Sequence, residues 1–327
     1  MTTHRLSLLA LRTLGVFACI GAATVACGSS TPEGPTTPDD VPAPSSPSAR
    51  RHSGIAYDAP RQRVLVFGGV DNTNVALDDL WSWNGTAWSR LSARTGGREI
   101  GTEMYATPND VFSVSPTGRV QRLSGTQWVQ VSTSTTPDRT LAAYGYDAAR
   151  RRLVRFGGGA APGQTARETW EFDGLSWTLV SSDGPSARFF PAMAYDPQRQ
   201  VTVLFGGLSL SEQKLDDTWE WNGRDWTQVT GPAPSARFGA TMVFDGGSGD
   251  ILLFGGIDNS TAHTNELWRR SNGVWSRIET AVGPSPRSLA LMAFDAARGN
   301  VVLFAGDGGQ FSLGDTWTLA GGVWTAR

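Results

Sequence analysis

The chain has 327 residues, of which 39% are hydrophobic and 10% aromatic, so it is long enough to bury one large core or two ordinary ones. The formal net charge of -2 gives no basic field that would attract phosphate backbones or anionic lipid. We therefore expect no nucleic-acid partner.

The N-terminus is typical of an export signal. Arg5 and Arg12 precede an apolar run of 14 residues, 13–26, which is too short to span a bilayer as a helix. We predict a signal peptide over residues 1–26. The segment TVAC at 24–27 resembles a bacterial lipobox, and the resemblance implies a lipid anchor on Cys27. Ordinary cleavage is the alternative, because Thr24 stands where the lipobox usually has an aliphatic residue.

Residues 27–47 contain six prolines and no aromatic residue, which predicts a disordered tether. The folded part would then be exported and held to the cell envelope, with the lipid as its only membrane contact. Gly28 replaces the Asp that is associated with inner-membrane retention in lipoproteins, so the resemblance points to the outer membrane.

Tryptophan recurs through the rest of the chain with a period of 49 residues, shortened to 40 once. One series is Trp88, Trp128, Trp177, Trp226, Trp275 and Trp324, and a second is Trp81, Trp170, Trp219, Trp268 and Trp317. Glycine pairs recur with them, and so do arginines that end PSAR-like motifs: Arg50, Arg139, Arg188, Arg237 and Arg287. A period near 50 predicts a propeller blade or a solenoid unit.

One repeat, residues 237–279, contains the runs GATMVFD, DILLFGG, ELWRR and VWSRI, separated by Gly, Asn and Asp. These short, β-branched or aromatic runs predict four strands. A hydrophobic strand ending in Gly-Gly, followed by two aromatic positions with six residues between them, resembles the kelch repeat of the galactose-oxidase-like propellers. The resemblance covers residues 48–327 and implies an all-β, six-bladed propeller with four antiparallel strands per blade. The blades fall at about 48–92, 93–136, 137–184, 185–233, 234–283 and 284–327, and the second is degenerate.

We interpret the repeating tryptophans as core that fills the space between diverging blades, whereas Trp83 and Trp221 lie outside both series. The last repeat is complete, so we expect the ring to close without a strand swap from residues 40–50. We name the strands of a blade A to D from the channel outward. The B-to-C loops and D-to-A connections then share one face, the mouth face, where we expect ligand binding. Blade 2 has only a short loop there, 116–118, which predicts a notch.

The arginine ring, Arg50, Arg139, Arg188, Arg237 and Arg287, begins strand A in five blades and could bind an acidic ligand by forked hydrogen bonds. Because it repeats, a structural role is the favoured alternative, with pairing to repeated acids such as Asp58, Asp147, Asp196, Asp245 or Asp295. Residues that break the repeat on this face include Arg51, His52 and Lys214. The further ligand-binding candidates of this kind are Phe189, Phe190, Phe238, His263 and Phe311. The phenylalanines could stack on a sugar, contact a partner or plug the channel.

Support for catalysis is weak. After export the chain would keep only His52 and His263 as histidines, and no cysteine besides Cys27, so zinc, copper and Cys-nucleophile sites lack ligands. The loops VDNTN and IDNST lack the spacing of a Ca²⁺ site. We name no catalytic residue, metal or cofactor.

Three functions fit the sequence. The first is a monomeric, envelope-anchored, non-enzymatic module that recognises a glycan or a protein ligand on the mouth face. The second, implied by the kelch resemblance alone, is a carbohydrate-active enzyme similar to the sialate mutarotases, acting on an acidic sugar. The third is a purely structural envelope protein.

Overall fold

The first two strands of a repeat explain why it forms a blade. In blade 1, β1 (Gly54–Asp58) alternates between buried and half-buried residues, whereas β2 (Arg63–Val70) is buried along almost its whole length. Alternation is typical of a strand with one better-covered face, and a continuous apolar run is typical of a strand covered on both faces. Strand A accordingly borders the channel, and strand B lies in the core between neighbouring blades.

The computed structural model describes residues 45–93, 101–161 and 164–327. The predicted signal peptide, the lipidation of Cys27 and the tether up to residue 44 lie outside the described residues. Within the described part, no helix is long and apolar enough to span a membrane.

Six four-stranded antiparallel sheets form the fold. Blade 1 contains β1, β2, β3 (Ala76–Trp83) and β4 (Trp88–Ser92), with a short 3-10 helix at Ala59–Arg61. Blade 2 contains β5 (Glu103–Ala106), β6 (Val111–Val114), β7 (Val120–Ser124) and β8 (Gln127–Gln130). Blade 3 contains β9 (Ala143–Asp147), β10 (Arg152–Phe156), β13 (Thr169–Phe172) and β14 (Trp177–Ser181), and β11 (Gly159–Ala161) pairs with β12 (Gln164–Thr165) in its B-to-C loop.

The remaining three blades repeat the pattern. Blade 4 contains β15 (Ala192–Asp196), β16 (Val201–Leu208), β17 (Lys214–Trp221) and β18 (Trp226–Val229). Blade 5 contains β20 (Thr241–Asp245), β21 (Asp250–Phe254), β23 (Leu267–Ser271) and β24 (Val274–Ile278), and a small ladder joins β19 (Arg237–Phe238) to β22 (Ile257–Asp258). Blade 6 contains β25 (Leu291–Asp295), β26 (Asn300–Phe304), β27 (Thr316–Ala320) and β28 (Val323–Ala326).

The six A strands form a closed ring around the channel. Each A strand contacts the A strand of the next blade, and β1 contacts both β5 and β25. This arrangement confirms the predicted all-β, six-bladed propeller with four antiparallel strands per blade. Blade 2 lacks the glycine pair but still forms all four strands.

A tryptophan at or near the start of strand D joins each blade to the blade before it. The ring centroid of Trp275 lies 5.8 Å from that of Phe205 in blade 4, and its indole N–H donates to the Thr218 hydroxyl at 3.0 Å. Burial of an aromatic side chain stabilises a fold by about 2–3 kcal/mol, so six such contacts hold the ring together. Trp83 and Trp221, which lie outside the two series, are also buried.

The first and last blades are joined by the same contacts as the other blades. Trp88 packs on Phe304 with ring centroids 5.0 Å apart and donates to Thr316 at 2.8 Å. The amide of Gly306 donates to the carbonyl of Arg50 at 3.2 Å. All strands of blade 6 come from residues 291–326, and of the described residues before β1 none joins that sheet, in agreement with the predicted closure. Residues 40–44 lie outside the described part.

The glycine pairs are required where one blade meets the next. Gly255 has a φ of +73° and Gly256 a φ of +98°, in the left-handed region that favours glycine. A Cβ on Gly255 would lie 2.4 Å from the carbonyl oxygen of Arg287, closer than any real contact. The glycine therefore allows the backbone of blade 6 to approach blade 5.

We predict that Gly255→Ala lowers the free energy of unfolding by more than about 2 kcal/mol, because a steric clash adds to the roughly 1–2 kcal/mol of left-handed strain. Gly299→Ala is the matched control, since Gly299 has a φ of +64° and nothing within 4 Å of its Cβ position. Urea unfolding followed by tryptophan fluorescence measures both. Equal losses in the two variants would show that the approach of the blades is not the constraint.

Candidate functional site

Arg50 lies inside the fold and not on the surface of the mouth face. It is fully buried, and its guanidinium donates to the two carboxylate oxygens of Asp79 at 2.7 and 3.1 Å. Its other donors reach the carbonyl of Gly68 and the carbonyl and hydroxyl of Ser48. All five N–H donors of the guanidinium therefore have an acceptor within its own blade.

The same arrangement recurs in blades 4, 5 and 6, whose ring arginines are at most 1% exposed. In each case the acid also accepts the indole N–H of the tryptophan two residues later, at 2.7 to 3.1 Å. We call these sets the Arg-acid-Trp triads: Arg50, Asp79 and Trp81; Arg188, Asp217 and Trp219; Arg237, Glu266 and Trp268; Arg287, Asp315 and Trp317.

The acids that pair with the arginines differ from those suggested by the sequence. The named examples, Asp58, Asp147, Asp196, Asp245 and Asp295, end strand A, whereas the observed partners lie in the first half of strand C or just before it. Strands A and C run in the same direction, so the start of C lies at the mouth face beside the arginine. The end of strand A lies at the opposite face. There Asp58 pairs with Arg63 at 3.0 Å, and Asp147 with Arg150 at 2.7 Å.

The triads keep their acids ionised. Burial disfavours the charge of Asp217, but hydrogen bonds from Arg188 and Trp219 outweigh it and lower the pKa of the carboxyl. The pKa values of Asp79, Glu266 and Asp315 are lowered by the same opposition of burial and hydrogen bonding. The charge of each buried arginine is thus matched by a carboxylate at neutral pH.

Blade 3 breaks this pattern. Its motif is TPDR instead of PSAR, so Pro137 replaces the serine whose hydroxyl accepts a guanidinium bond in the triads. Arg139 lies 3.5 Å from Glu168 and donates to the carbonyl of Asp138, while its buried Nε has no partner among the described residues. Arg139 is thus the member of the arginine ring with hydrogen-bonding capacity to spare.

A second arginine, Arg155, donates hydrogen bonds to backbone carbonyls where blade 2 meets blade 3. It is 1% exposed and donates to the carbonyls of Pro116, Pro137 and Arg139, each at 3.2 Å. The short loop of blade 2, where the sequence predicted a notch, is packed against the start of blade 3. Its Pro116 carbonyl also accepts the amide of Arg139 at 3.1 Å.

Phe190 occupies the mouth of the channel. Its backbone is left-handed, with a φ of +52°, and its ring lies 5.8 Å from that of Phe238 and 6.2 Å from that of His52. Blades 1 and 4 are opposite each other in a six-bladed ring, so Phe190 of blade 4 reaches across to His52 of blade 1. The sequence left open whether the phenylalanines stack on a sugar, contact a partner or plug the channel. This geometry favours a plug.

The other candidates on the mouth face do not converge on one point. Phe238 is buried and Phe189 is half-buried. Phe311 is 67% exposed on the B-to-C loop of blade 6. His263, on the corresponding loop of blade 5, packs near Gly309 and is half-buried.

Behind the mouth lies a cavity of about 220 Å³, bounded by the start of strand A in all six blades. Both polar and apolar groups line it. The titratable side chains that line it are His52, Glu103, Arg139 and Tyr144. The described residues contain no group of three His, Cys, Asp or Glu side chains that could hold a metal.

Glu103 and Tyr144 were not among the residues singled out from the sequence. Glu103 starts strand A of blade 2, where the other blades have Gly54, Ala143, Ala192, Thr241 and Leu291. Tyr144 takes the next position in blade 3, where the others have Ile or Met. Aligning strand A by its pairing register, and not by tryptophan spacing alone, would have exposed both departures from the repeat.

Comparison with known proteins adds information about the fold alone. No family model matches the chain, and no curated protein matches it. A solved structure titled "Structure of YjhT" superposes with a TM-score of 0.65 at 12% identity, covering 87% of this chain and 99% of that one. The likeness confirms the propeller architecture.

We predict that Asp217→Asn lowers the free energy of unfolding by about 3–5 kcal/mol, because Arg188 would remain fully buried without a counter-charge. Asp225→Asn removes the same charge from an exposed turn and should change stability by less than about 0.5 kcal/mol. Guanidinium-chloride unfolding compares them. A small effect of Asp217→Asn would mean that the triad is not needed to hold the blade.

Stability should depend on pH in two separate ranges. The lowered pKa values of the triad acids mean that their stabilisation is lost as the pH drops below about 4. Burial raises the pKa of Glu103 to about 8, so its ionisation destabilises the fold progressively as the pH rises from its ordinary value to about 8. Thermal unfolding across the pH range measures this, and Glu103→Gln should remove only the loss of stability between pH 4.5 and about pH 8. An identical profile for that variant would contradict the assignment.

Proposed function

We propose that the chain is a non-enzymatic, kelch-type interaction module that binds a protein ligand through its mouth face. The observation that carries the proposal is the state of the arginine ring. Four of its five members have their guanidinium groups engaged by the fold, so they offer no forked hydrogen bonds to an acidic sugar. Phe190 lies in the mouth that a sugar would otherwise enter.

The mouth-face loops carry apolar side chains that a protein partner could cover. Val75, Leu210 and Phe311, on the B-to-C loops of blades 1, 4 and 6, are 49%, 51% and 67% exposed. Exposed aliphatic and aromatic side chains on a rigid scaffold are typical of protein contact surfaces. The loops of blades 1 and 6 are joined, because the amide of Ser312 donates to Asn72 at 2.6 Å. Val75 and Phe311 are therefore presented by one connected rim.

The cellular setting of this proposal comes from the sequence. Export, lipidation of Cys27 and a Pro/Ser/Thr-rich tether would hold the propeller at the cell envelope, in the outer membrane. A tethered monomer would reach partners on neighbouring envelope proteins without a membrane contact of its own.

We predict that the purified protein captures a partner from a solubilised envelope fraction, and that Leu210→Ser with Phe311→Ser reduces the capture at least tenfold by removing apolar contact area. The matched control is Leu175→Ser with Val323→Ser, which alters C-to-D turns on the opposite face that are 77% and 66% exposed. Quantitative mass spectrometry of the captured material measures the ratio.

Treatment of the envelope fraction before capture separates the ligand classes. Protease should abolish the capture, and glycosidases should leave it unchanged. Capture that survives protease but not glycosidase would point to a glycan and overturn the proposal. Equal losses of capture in the mouth-face and opposite-face variants would show that the mouth face is not the binding surface.

A further inference from the structure

The exposed apolar side chains of the mouth face lie among acidic residues. In blades 1, 5 and 6 the mouth-face loop, up to and including the triad acid, covers residues 71–79, 257–266 and 307–315. We call these three loops the acidic rim, because they contain seven Asp and Glu residues and no Lys or Arg. Three of the acids belong to triads, whose arginines balance their charge. The four others are Asp71, Asp78, Asp258 and Asp307.

The three loops of the acidic rim form one continuous surface. The loops of blades 1 and 6 are joined by the hydrogen bond from the amide of Ser312 to Asn72. The loops of blades 5 and 6 are in contact, because a Cβ on Gly309 would lie 3.3 Å from the ring of His263. A single partner can therefore contact all three loops.

The acids that begin these loops keep one oxygen available to a partner. The Oδ1 atom of Asp71 accepts the amides of Thr73 and Val75 at 2.8 and 3.0 Å, and Asp258 and Asp307 cap their loops through Oδ1 in the same way. No donor among the described residues reaches Oδ2 of these three acids. Burial disfavours the charge of Asp71, but its hydrogen bonds outweigh burial and lower the pKa of the carboxyl. Hydrogen bonds from its own loop also lower the pKa of Asp258.

Apolar side chains project from the same turns. Val75, which is 49% exposed, ends the turn that Asp71 caps. Phe311, which is 67% exposed, belongs to the turn that Asp307 caps, where its carbonyl accepts the amide of Gly308 at 3.0 Å. An apolar surface bordered by carboxylates is complementary to an apolar side chain flanked by Lys or Arg. The acids are spread along the loops, and the described residues contain no group of three that could hold a metal ion.

Neighbouring cations offset little of this charge. Arg51 lies beside the acidic rim and donates to Asn74 and to the Ser312 hydroxyl at 2.6 and 3.0 Å, so its single charge faces four acids. On the opposite face, by contrast, the A-to-B turns of blades 1, 3, 4 and 6 each contain arginine beside the Asp that ends strand A. The mouth face therefore attracts a basic partner and repels nucleic acid and anionic lipid.

We propose that the partner of the mouth face is a basic protein segment in which Lys or Arg side chains flank an apolar or aromatic one. The apolar side chain covers Val75 and Phe311, and the cations pair with the carboxylates of the acidic rim. This inference rests on the protein contact proposed for the mouth face and adds the charge of the partner. Because the paired charges lie at the solvent-exposed edge of the contact, binding should weaken as salt is added.

Synthetic peptides test the charge preference on the whole protein without an envelope fraction. The probe is a fluorescent peptide, Lys-Phe-Lys-Gly-Lys-Phe-Lys, titrated by fluorescence anisotropy near physiological salt. It should bind at least tenfold more tightly than the peptide with Gln in place of Lys, because Gln cannot pair with a carboxylate. It should also bind at least tenfold more tightly than the peptide with Gly in place of Phe. Equal binding of the Lys and Gln peptides, or no binding of the Lys peptide, overturns the proposal.

A triple variant locates the site. Asn keeps the Oδ1 acceptor that caps each loop and removes the charge, so the fold should be retained while the Lys peptide binds at least tenfold more weakly to Asp71→Asn, Asp258→Asn, Asp307→Asn. The matched control removes three charges from turns of the opposite face and should bind like the unaltered protein: Asp173→Asn, Asp225→Asn, Asp245→Asn. Equal losses in the two variants would show that total charge, and not the acidic rim, attracts the peptide.

Capture from the envelope fraction separates this inference from the proposed function. Capture that is lost in Leu210→Ser with Phe311→Ser, but unchanged in the triple variant of the acidic rim, would keep the protein contact and refute the basic partner. If the triple variant fails to fold, the peptide series and its salt dependence on the unaltered protein decide. Binding of the Lys peptide should then fall at least tenfold when the ionic strength is raised about tenfold.

Discussion

The buried Arg-acid-Trp triad is the interaction on which the rest of the structure depends. In each triad one guanidinium fixes the entry to strand A, the end of strand B and the start of strand C of its own blade. The carbonyl of the arginine meanwhile accepts an amide of the preceding blade, as Gly256 donates to Arg287. A buried charge costs least when its donors are satisfied, so the triad favours one relative placement of three strands and two blades. Tryptophan burial supplies stability, and the triads determine the geometry that it stabilises.

The polar groups of the channel appear where this repeated scheme is interrupted. Blade 2 has no triad, and its strand A begins with Glu103. Blade 3 has an incomplete triad, because Pro137 takes the place of serine and Arg155 takes over the carbonyls at the junction. Arg139 is thereby left to line the cavity. The other four blades keep the triad, whereas these two adjacent blades place Glu103 and Arg139 at the cavity.

The sequence was sufficient to predict the fold, because aromatic spacing, glycine pairs and four-strand repeats are local patterns that recur along the chain. It also favoured a structural role for the arginine ring. The acid partners suggested from the sequence were wrong because several acids in each repeat recur with the same period of 49 residues as the arginines. Only the direction of the strands separates Asp79, which lies beside the arginine at the mouth face, from Asp58 at the opposite face. Glu103 was missed for a related reason. Its departure from the other blades shows only when strand A is aligned by its pairing register.

The proposed contact surface follows from how a propeller distributes its constraints. Repeated contacts between blades leave little freedom in strands B, C and D, whose residues must fit the same neighbours in every blade. The loops of the mouth face are relieved of this requirement, since they face solvent, and Val75 and Phe311 illustrate this. Apolar side chains that project from a rigid scaffold into solvent are therefore better explained by a partner that covers them than by the fold.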